Sequence, residues 1–417
     1  MEDNLLKLNK DIYETLVSLT DAPPPAMRTW TGETWGPADA AATLVLKHPS
    51  SLRVMFVPPS DLVAGEAYVF GDIDIEGDIF AALEFGAGLD AVRRHPVKAL
   101  KLMRRVRKLP EAPGHEDKRP ARGGKLHSKS RDSEAVRQHY DTGNEFFASF
   151  LDPQMVYSCA YFLDSTDTLE AAQTRKLDLV CRKLQLAPGQ RLLDVGCGWG
   201  ALIIHAALHY DVEAVGVTLS PEQATEARRR IKEYGLEDRV TVEVLDYREV
   251  EGQFDAISSI GMYEHVGAKE LGTYFERLHE LLGPRGILLN HGITTRDRKS
   301  GKGKPTFVST YIFPDGELHP IEMSVIAAEA TGFQVRDLES LRPSYAFTLR
   351  QWVDNLEKAP LIESEADEIR HRMFRIYMAG SAVAFESGGT DVYQMVAVKP
   401  ERPWTLGRSF MVASDDG

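Results

Sequence analysis

The segment from Leu192 to Gly200 constrains the fold of this chain more than any other. Its letters, LLDVGCGWG, place an apolar strand before an acidic residue and a glycine-rich turn, and the apolar run ALIIHAALHY follows directly. This pattern begins a nucleotide-type βα unit, in which Asp194 ends the strand. Gly196, Gly198 and Gly200 then let a ligand approach bare backbone at a helix N-terminus. A glycine turn of this kind can also be purely structural.

The spacing of the glycines favours one class of ligand. The GxGxG pattern differs from the GxGxxG of dinucleotide sites, and no Lys follows it as a phosphate-binding P-loop requires. A ligand without phosphate groups fits this turn best. We therefore expect S-adenosylmethionine rather than NAD or ATP.

From Lys176 onward, strands and helices alternate with short loops. The alternation predicts an α/β domain with a doubly wound, mainly parallel sheet, the Rossmann-like arrangement. In such a sheet the ligand lies at the carboxyl ends of the strands. The predicted ends carry Asp194, Thr218, Asp246 with Tyr247, Gly261 to His265, and Asn290 with His291.

The second strand of this sheet ends in GVTLSPEQ rather than in Asp or Glu. Many adenosine-binding sheets place an acidic residue there to hold the ribose hydroxyls, so Thr218 and Gln223 must supply those hydrogen bonds here. Ser220 is followed by Pro221, which is also a good helix start with serine as the cap. Asp246 would accept a hydrogen bond from the adenine amino group.

The composition of the chain indicates the class of binding partner and the cellular compartment. Lys and Arg number 49 against 62 Asp and Glu, and the net charge of −13 argues against nucleic acid as the partner. Three cysteines and a start without the basic-then-apolar pattern of a signal peptide favour the cytoplasm. No apolar stretch approaches the roughly 18 residues that cross a bilayer, so any membrane role is expected to be peripheral. No His/Cys cluster has the spacing of metal ligands.

Charge is uneven along the chain. Residues 101–131 contain eleven Lys or Arg against three acids, and the segment is rich in Pro, Gly and Ser. We expect a lipid-associated N-terminal domain at 1–107, a basic linker at 108–132 and a catalytic domain at 133–417. The linker suits an anionic membrane, although a solvated linker without a partner has the same composition.

The N-terminal domain is predicted to be a smaller α+β unit. The runs AATLVLKH, SLRVMFVP and EAYVFGDIDI have the composition of strands, and a helical stretch follows that ends in VKALKLMRRVRKL. That stretch places Leu, Val and Met among Arg and Lys at helical spacing. The pattern is typical of an interfacial amphipathic helix and equally of a helix packed on its own domain.

Nine motifs between His139 and about Lys399 together identify a family. They are HYDTGNEFFASFLDPQMVYSCAYF, LLDVGCGWG, GVTLSPEQ, LDYRE, SIGMYEHVG, NHGI, YIFPDGELHP, LRPSYAFTLRQW and DVYQMVAVK. Through them the chain resembles the cyclopropane-fatty-acyl-phospholipid synthases and their relatives that modify mycolic acids. Residues 1–100 resemble the family only weakly, in GEAYVFGDIDIEGD.

The resemblance implies transfer of a methylene from S-adenosylmethionine to the cis double bond of an unsaturated acyl chain in a membrane phospholipid. Methyl transfer to an alkene leaves a carbocation, and loss of a proton from the new methyl closes the cyclopropane ring. The family uses a bound bicarbonate as the base. A phospholipid at the inner face of the membrane is the implied partner, and a homodimer is compatible with the resemblance.

The resemblance also implies the site residues. Those matching the family's bicarbonate site are Glu264, His291, Tyr345 and Cys159, and Gly261 stands where relatives that branch the chain without ring closure tend to have an acidic residue. The implied cofactor residues are Tyr157, Ser158, Asp194, Gly196, Gly198, Thr218, Leu219, Gln223, Asp246 and Tyr247.

Each implied catalytic residue has a plain structural alternative. Burial of a carboxylate such as Glu264 destabilises the fold, which favours a functional role for it. His291 follows an apolar strand, which is typical of a core histidine whose hydrogen bonds are made within the protein. Tyr345 could be a core aromatic and Cys159 a small buried thiol. Two other activities remain open: methyl or methylene branching of the same acyl chain, and N-methylation of a small amine.

Overall fold

The computed structural model describes residues 2–89, 96–120, 131, 143–296, 305–360, 363–404 and 408. The chain divides into two compact units. The first comprises Met1–Arg122, Lys304–Ile312 and Pro360–Val383, and the second comprises Gly123–Gly303, Phe313–Ala359 and Ala384–Gly417. The domain boundaries at residues 107 and 132 remain predictions. Residues 121–130 and 132 of the predicted linker lie outside the described residues.

The first unit contains the smaller α+β region. Its strands are β1 (Ala26–Arg28), β2 (Thr34–Trp35), β3 (Ala42–Leu46) and β4 (Ile73–Gly77). They form one sheet in the order β2-β1-β3-β4. Its helices before residue 120 are α1 (Glu2–Val17), α2 (Ser51–Phe56), α3 (Asp61–Val69), α4 (Ile79–Gly88) and α5 (Pro96–Val106).

Two runs of the first unit that we predicted as strands from their composition are helical. SLRVMF forms α2, and EAYV lies in α3. The Ser60 hydroxyl accepts a hydrogen bond from Val63 N at 3.2 Å and so caps α3. Helices α2 and α3 pack against each other. Tertiary packing of this kind stabilises short helices that intrinsic propensity does not reveal.

The second unit is built on a seven-stranded sheet. Its strands are β5 (Arg191–Val195), β6 (Glu213–Thr218), β7 (Val240–Val244), β8 (Phe254–Ile260), β9 (Leu282–Thr295), β10 (Gln334–Ser340) and β11 (Thr390–Val398). They are arranged in the order β10-β11-β9-β8-β5-β6-β7. Strands β5 to β9 pair in parallel, and β11 runs antiparallel to β9 and β10. The predicted doubly wound, mainly parallel sheet is confirmed.

Helices cover both faces of this sheet. They are α6 (Asn144–Ala148), α7 (Leu169–Lys183), α8 (Ala201–Tyr210), α9 (Pro221–Glu233), α10 (Leu271–Leu281), α11 (Ile321–Ala330) and α12 (Arg342–Lys358). A last helix, α13 (Glu365–Ser387), contributes residues to both units.

Alternate residues of β5 show how the two faces of the sheet are buried. Leu192 belongs to an apolar cluster with Leu177 of α7 and Ile203 of α8. Its neighbour Leu193 belongs to a second cluster with Phe275 of α10. Successive side chains of a strand point to opposite faces, so a strand buried on both sides is apolar throughout. None of the helices in the described residues is long and apolar enough to span a membrane.

Candidate functional site

A cavity of about 180 Å³ lies at the carboxyl ends of β5, β6, β7 and β8. Every residue that the resemblance implied for the cofactor lines it, and so does Gly261. The parallel strands β5 to β8 bring most of these residues together because they end at the same edge of the sheet, whereas Tyr157 and Ser158 precede the sheet in the chain. The set is Tyr157, Ser158, Asp194, Gly196, Gly198, Thr218, Leu219, Gln223, Asp246 and Tyr247.

The glycine turn shapes one wall of the cavity. Gly196 has a φ of +81°, and a Cβ placed on it would lie 3.2 Å from the Met262 side chain. Gly198 has a φ of +54°, and no atom lies within 4 Å of the position a Cβ would take. A side chain at either position would be strained. Without one, the backbone is open to a ligand in the cavity.

The end of β6 is organised as the sequence suggested. The Ser220 hydroxyl accepts a hydrogen bond from Gln223 N at 3.3 Å and caps α9, so its role is structural. Thr218 Oγ1 donates to Gln223 Oε1 at 2.7 Å. This bond fixes both side chains at the cavity wall and leaves the Gln223 amide hydrogens as donors. Contact of these two residues with ribose remains a prediction.

Asp246 has a partner that sequence reasoning missed. Arg248 donates from its backbone N and from Nε to Asp246 Oδ1, at 2.9 and 2.7 Å, and from Nη2 to Oδ2 at 2.6 Å. The basic residue two positions after the aspartate was the available signal. Arg248 thereby fixes the orientation of the Asp246 carboxylate at the cavity wall, and a contact of Asp246 with the adenine amino group remains a prediction.

Glu264 and His291 are tied to the same strand. Glu264 Oε1 accepts a hydrogen bond from Ile293 N at 2.8 Å, and Ile293 lies two residues after His291 on β9. His291 Nδ1 and Gln394 Nε2 of β11 are 3.2 Å apart. The amide donates in this pair, so the histidine proton lies on Nε2. Gln394 is a site neighbour that the sequence did not single out.

Tyr345 and Cys159 join the network through one carbonyl. Val392 of β11 pairs with Ile293, and Leu341 N donates to Val392 O at 2.9 Å. Leu341 O accepts from Tyr345 N at 3.0 Å and from the Cys159 thiol at 3.7 Å. The four implied catalytic residues are therefore connected through backbone groups, and Tyr345 is joined by its main-chain N–H rather than by its hydroxyl. We refer to these four residues as the network.

Burial sets the charge states in this network. It raises the pKa of Glu264 to about 7, although the hydrogen bond from Ile293 opposes the change. Burial lowers the pKa of His291 to about 3, with a smaller contribution from Lys176, so the imidazole is neutral. Burial also raises the pKa of the Cys159 thiol, which is fully enclosed and stays protonated. Glu264 Oε2 is buried and has no hydrogen-bond partner among the described residues.

The network adjoins the cavity along the chain. Glu264, His291, Tyr345 and Cys159 do not line the cavity themselves, but Ser158 and His265, their chain neighbours, do. The ring of Tyr345 packs against Trp352 and Phe385, with centroids 6.2 and 4.7 Å away.

Two phenylalanines beside the cofactor cavity have core positions. Phe147 and Phe150 are completely buried, and both rings contact Tyr157. These contacts support the wall of the cofactor cavity.

Lining residues that sequence reasoning missed are Lys176, Trp199 and Arg248, whereas Met262 and His265 fall within the predicted strand end from Gly261 to His265. Most of them follow a glycine or a strand end, where their position alone was the signal. Lys176 lies in the middle of α7, where nothing in the sequence marked it. Among the described residues, no group of three His, Cys, Asp or Glu could hold a metal ion.

The fold and the cavity are those of S-adenosylmethionine-dependent methyltransferases. A solved mycolic acid cyclopropane synthase, CmaA1 in complex with SAH and CTAB, is 36% identical, with a TM-score of 0.59. The similarity covers 64% of this chain and 98% of that one.

Sequence comparison gives the family. The model of the mycolic acid cyclopropane synthetase family matches residues 127–395, and the chain belongs to this family. A probable fatty acid methyltransferase of Pseudomonas putida is 38% identical over 399 residues, which cover 92% of this chain and 95% of that protein. The cyclopropane-fatty-acyl-phospholipid synthase of Escherichia coli K12 is 41% identical over 272 residues, which cover 65% and 69%. The chain is thus an S-adenosylmethionine-dependent methyltransferase, as the resemblance implied.

Proposed function

We propose that this enzyme converts the cis double bond of an unsaturated acyl chain, esterified in a membrane phospholipid, into a cyclopropane ring. The observation that carries the proposal is the network of Glu264, His291, Tyr345 and Cys159 beside the cofactor cavity. The names of the relatives in Escherichia coli and Pseudomonas putida support an acyl lipid as the substrate. S-adenosylmethionine, when bound, supplies the electrophilic methyl carbon.

The chain's own residues then have three tasks. An alkene is a weak nucleophile, so the site must hold its carbon in line with the methyl group. It must also keep water from the carbocation, because water would give an alcohol instead of a ring. Glu264, His291, Tyr345 and Cys159 are all buried, and this supports the exclusion of water. The third task is to hold the base that takes the proton from the new methyl group.

Bicarbonate fits the groups that the network leaves open. Its negative oxygens need donors, and the His291 Nε2–H is a donor because Nδ1 accepts from Gln394. Its hydroxyl needs an acceptor, and Glu264 Oε2 is such an acceptor when ionised. We infer that these two residues, with the Tyr345 hydroxyl as a second donor, would hold the anion, which would supply the base.

We also propose a peripheral association with the inner, anionic face of the membrane. On α5, Val97 is 80% exposed and Leu100 is 54% exposed, whereas Leu102 is buried. Lys101 and Arg104 are exposed on the same helix. An exposed apolar and basic helix of this kind supports binding at an interface. Each cation near an anionic surface contributes about 1 kcal/mol.

Vesicle sedimentation tests this association. Binding to anionic vesicles should weaken as salt is added, and replacing Lys101, Arg104 and Lys108 by Gln should weaken it at low salt. Arg105 is left intact because its Nη1 donates to the Thr15 hydroxyl at 2.7 Å. Lys232→Gln, an exposed position on α9, is the matched control. Equal binding by the triple variant and the control would contradict a role for α5.

Product analysis tests the reaction. The purified protein is incubated with S-adenosylmethionine, bicarbonate and vesicles of an unsaturated phospholipid, and the released fatty acids are analysed by mass and double-bond content. A gain of one CH₂ with loss of the double bond is expected. The same mass gain with an alkene retained would indicate branching instead. Activity unaffected by depletion of bicarbonate would contradict the assigned base.

A further inference from the structure

Lys176 is a buried cation on the wall of the cofactor cavity. It lies on α7, its residue is 1% exposed, and it lines the cavity next to Ser158 and Asp194. Its Nζ donates one hydrogen bond, to Ser158 Oγ at 3.0 Å. No carboxylate among the described residues lies within 4.0 Å of this ammonium group.

This arrangement leaves the ammonium group incompletely satisfied. A lysine ammonium has three donors, and a single hydrogen bond occupies one of them. A buried charge is costly unless it is paired and hydrogen-bonded. Burial accordingly lowers the pKa of Lys176 to about 8, although Asp152 and Asp194 act in the opposite direction. An acceptor within the cavity would complete the coordination.

Asp194 provides the opposite charge in the same cavity. It is 4% exposed, and its Oδ1 accepts a hydrogen bond from the Ser258 hydroxyl at 2.6 Å. Among the described contacts Asp194 and Lys176 share no ion pair, although each charge shifts the pKa of the other group. A cavity wall with a separate anion and cation complements a ligand that carries both charges, as an α-amino acid does.

We propose that Lys176 binds the α-carboxylate of the methionine portion of S-adenosylmethionine, while Asp194 accepts from its α-ammonium. The proposal rests on the proposed cofactor site and deepens it. Two charges of opposite sign fix the amino acid end in one orientation. The methyl group is thereby positioned from the far end of the cofactor.

A second lysine on the same helix shows the structural alternative. Lys183 lies seven residues after Lys176, on the same face of α7, and is completely buried. It forms an ion pair with Glu339, and Asp337 lies 3.8 Å away. Lys183 therefore has its counterions within the protein, whereas Lys176 has a cavity before it.

Paired ligands give a direct test. S-adenosylmethionine and decarboxylated S-adenosylmethionine differ only in the carboxylate, and calorimetry gives the Kd of each. The wild-type protein should prefer the carboxylated ligand by about 10- to 100-fold, the usual range for a charged hydrogen bond. Lys176→Met should lose this preference by binding the carboxylated ligand more weakly, with little change for the other. Lys183→Met should keep the preference even if its stability falls.

Three results would overturn the assignment. If the wild-type protein binds the two ligands equally, the assignment is wrong, and no variant is needed to show it. A Lys176→Met protein that keeps the preference, or that weakens both ligands by the same factor, would make Lys176 structural. Failure of the wild-type protein to bind S-adenosylmethionine at all would instead contradict the proposed cofactor site.

Discussion

Two buried glutamates, one in each unit, have opposite surroundings. In the first unit Glu66 is 2% exposed, and Arg119 donates to both of its oxygens, at 2.6 and 2.8 Å. The Tyr311 hydroxyl adds a third bond at 2.9 Å. In the second unit Glu264 accepts from Ile293 N, and its other oxygen has no partner among the described residues.

The difference distinguishes a group that stabilises the fold from a candidate ligand-binding group. A buried charge is stable when its partners are within the protein, as they are for Glu66. An incompletely satisfied buried carboxylate raises its pKa and is a candidate functional group. The same contrast holds on α7 between Lys183 and Lys176. Burial alone does not distinguish the two cases, but the inventory of partners does.

The largest effect is expected for Glu264→Gln. If Glu264 orients the base, the amide should lower the rate of ring formation by about 10²- to 10³-fold, the size of a positioned acid–base group. Affinity for S-adenosylmethionine should stay near that of the wild type, because Glu264 does not line the cavity. The initial rate of product formation measures the rate of ring formation, and calorimetry measures the affinity for S-adenosylmethionine. Wild-type turnover in this variant would remove Glu264 from the mechanism.

Glu66→Gln should act on stability instead. It removes the charge that Arg119 contacts, and breaking a buried ion pair costs about 3–5 kcal/mol. Arg119 is 29% exposed, so water screens part of the loss, and about 2–3 kcal/mol is expected in the free energy of unfolding. Urea denaturation measures it. Glu116→Gln is the matched control, because Glu116 lies 4.0 Å from the same arginine and is 62% exposed.

If Glu66→Gln and its control lower the free energy of unfolding by the same small amount, the contrast between Glu66 and Glu264 is contradicted. Such a result would mean that the contacts of Glu66 contribute no more than a surface ion pair, about 0–1 kcal/mol. The inventory of partners would then no longer identify structural charges.

The sequence predicted the cavity well because of one geometric rule. Strand ends of a parallel sheet meet at one edge, so Asp194, Thr218 and Asp246 could be placed together from strand order alone. The resemblance supplied the residues before the sheet, such as Tyr157 and Ser158. Their lining of the cavity follows from the structure, whereas their contacts with the cofactor remain predictions.

What the sequence left out depends on tertiary contacts. Lys176 and Lys183 look like ordinary polar positions of a helix, and only the structure shows that both are buried with different partners. Gln394 is one polar residue in a strand whose pairing partner on β9 could not be read from the chain. The strands predicted for SLRVMF and EAYV failed for the same reason, since packing overrode composition.

The pH dependence of stability gives a smaller expected effect that also tests the contrast between Glu264 and Glu66. Burial raises the pKa of Glu264 from 4.5 to about 7. The protonated form is thus the one the folded protein favours. Its contribution to the free energy of unfolding is fully present below pH 4.5 and is lost as pH rises through 7.

Comparison with Glu264→Gln, which cannot titrate, isolates this contribution. Between pH 5.5 and 8 the wild-type protein should lose about 2 kcal/mol of unfolding free energy relative to the variant. Urea denaturation at both pH values gives the difference. Saturating bicarbonate should reduce it, because an anion whose hydroxyl donates to Glu264 stabilises the ionised carboxylate. Parallel pH profiles for the two proteins would show that Glu264 is ionised throughout, with a partner for Oε2 after all.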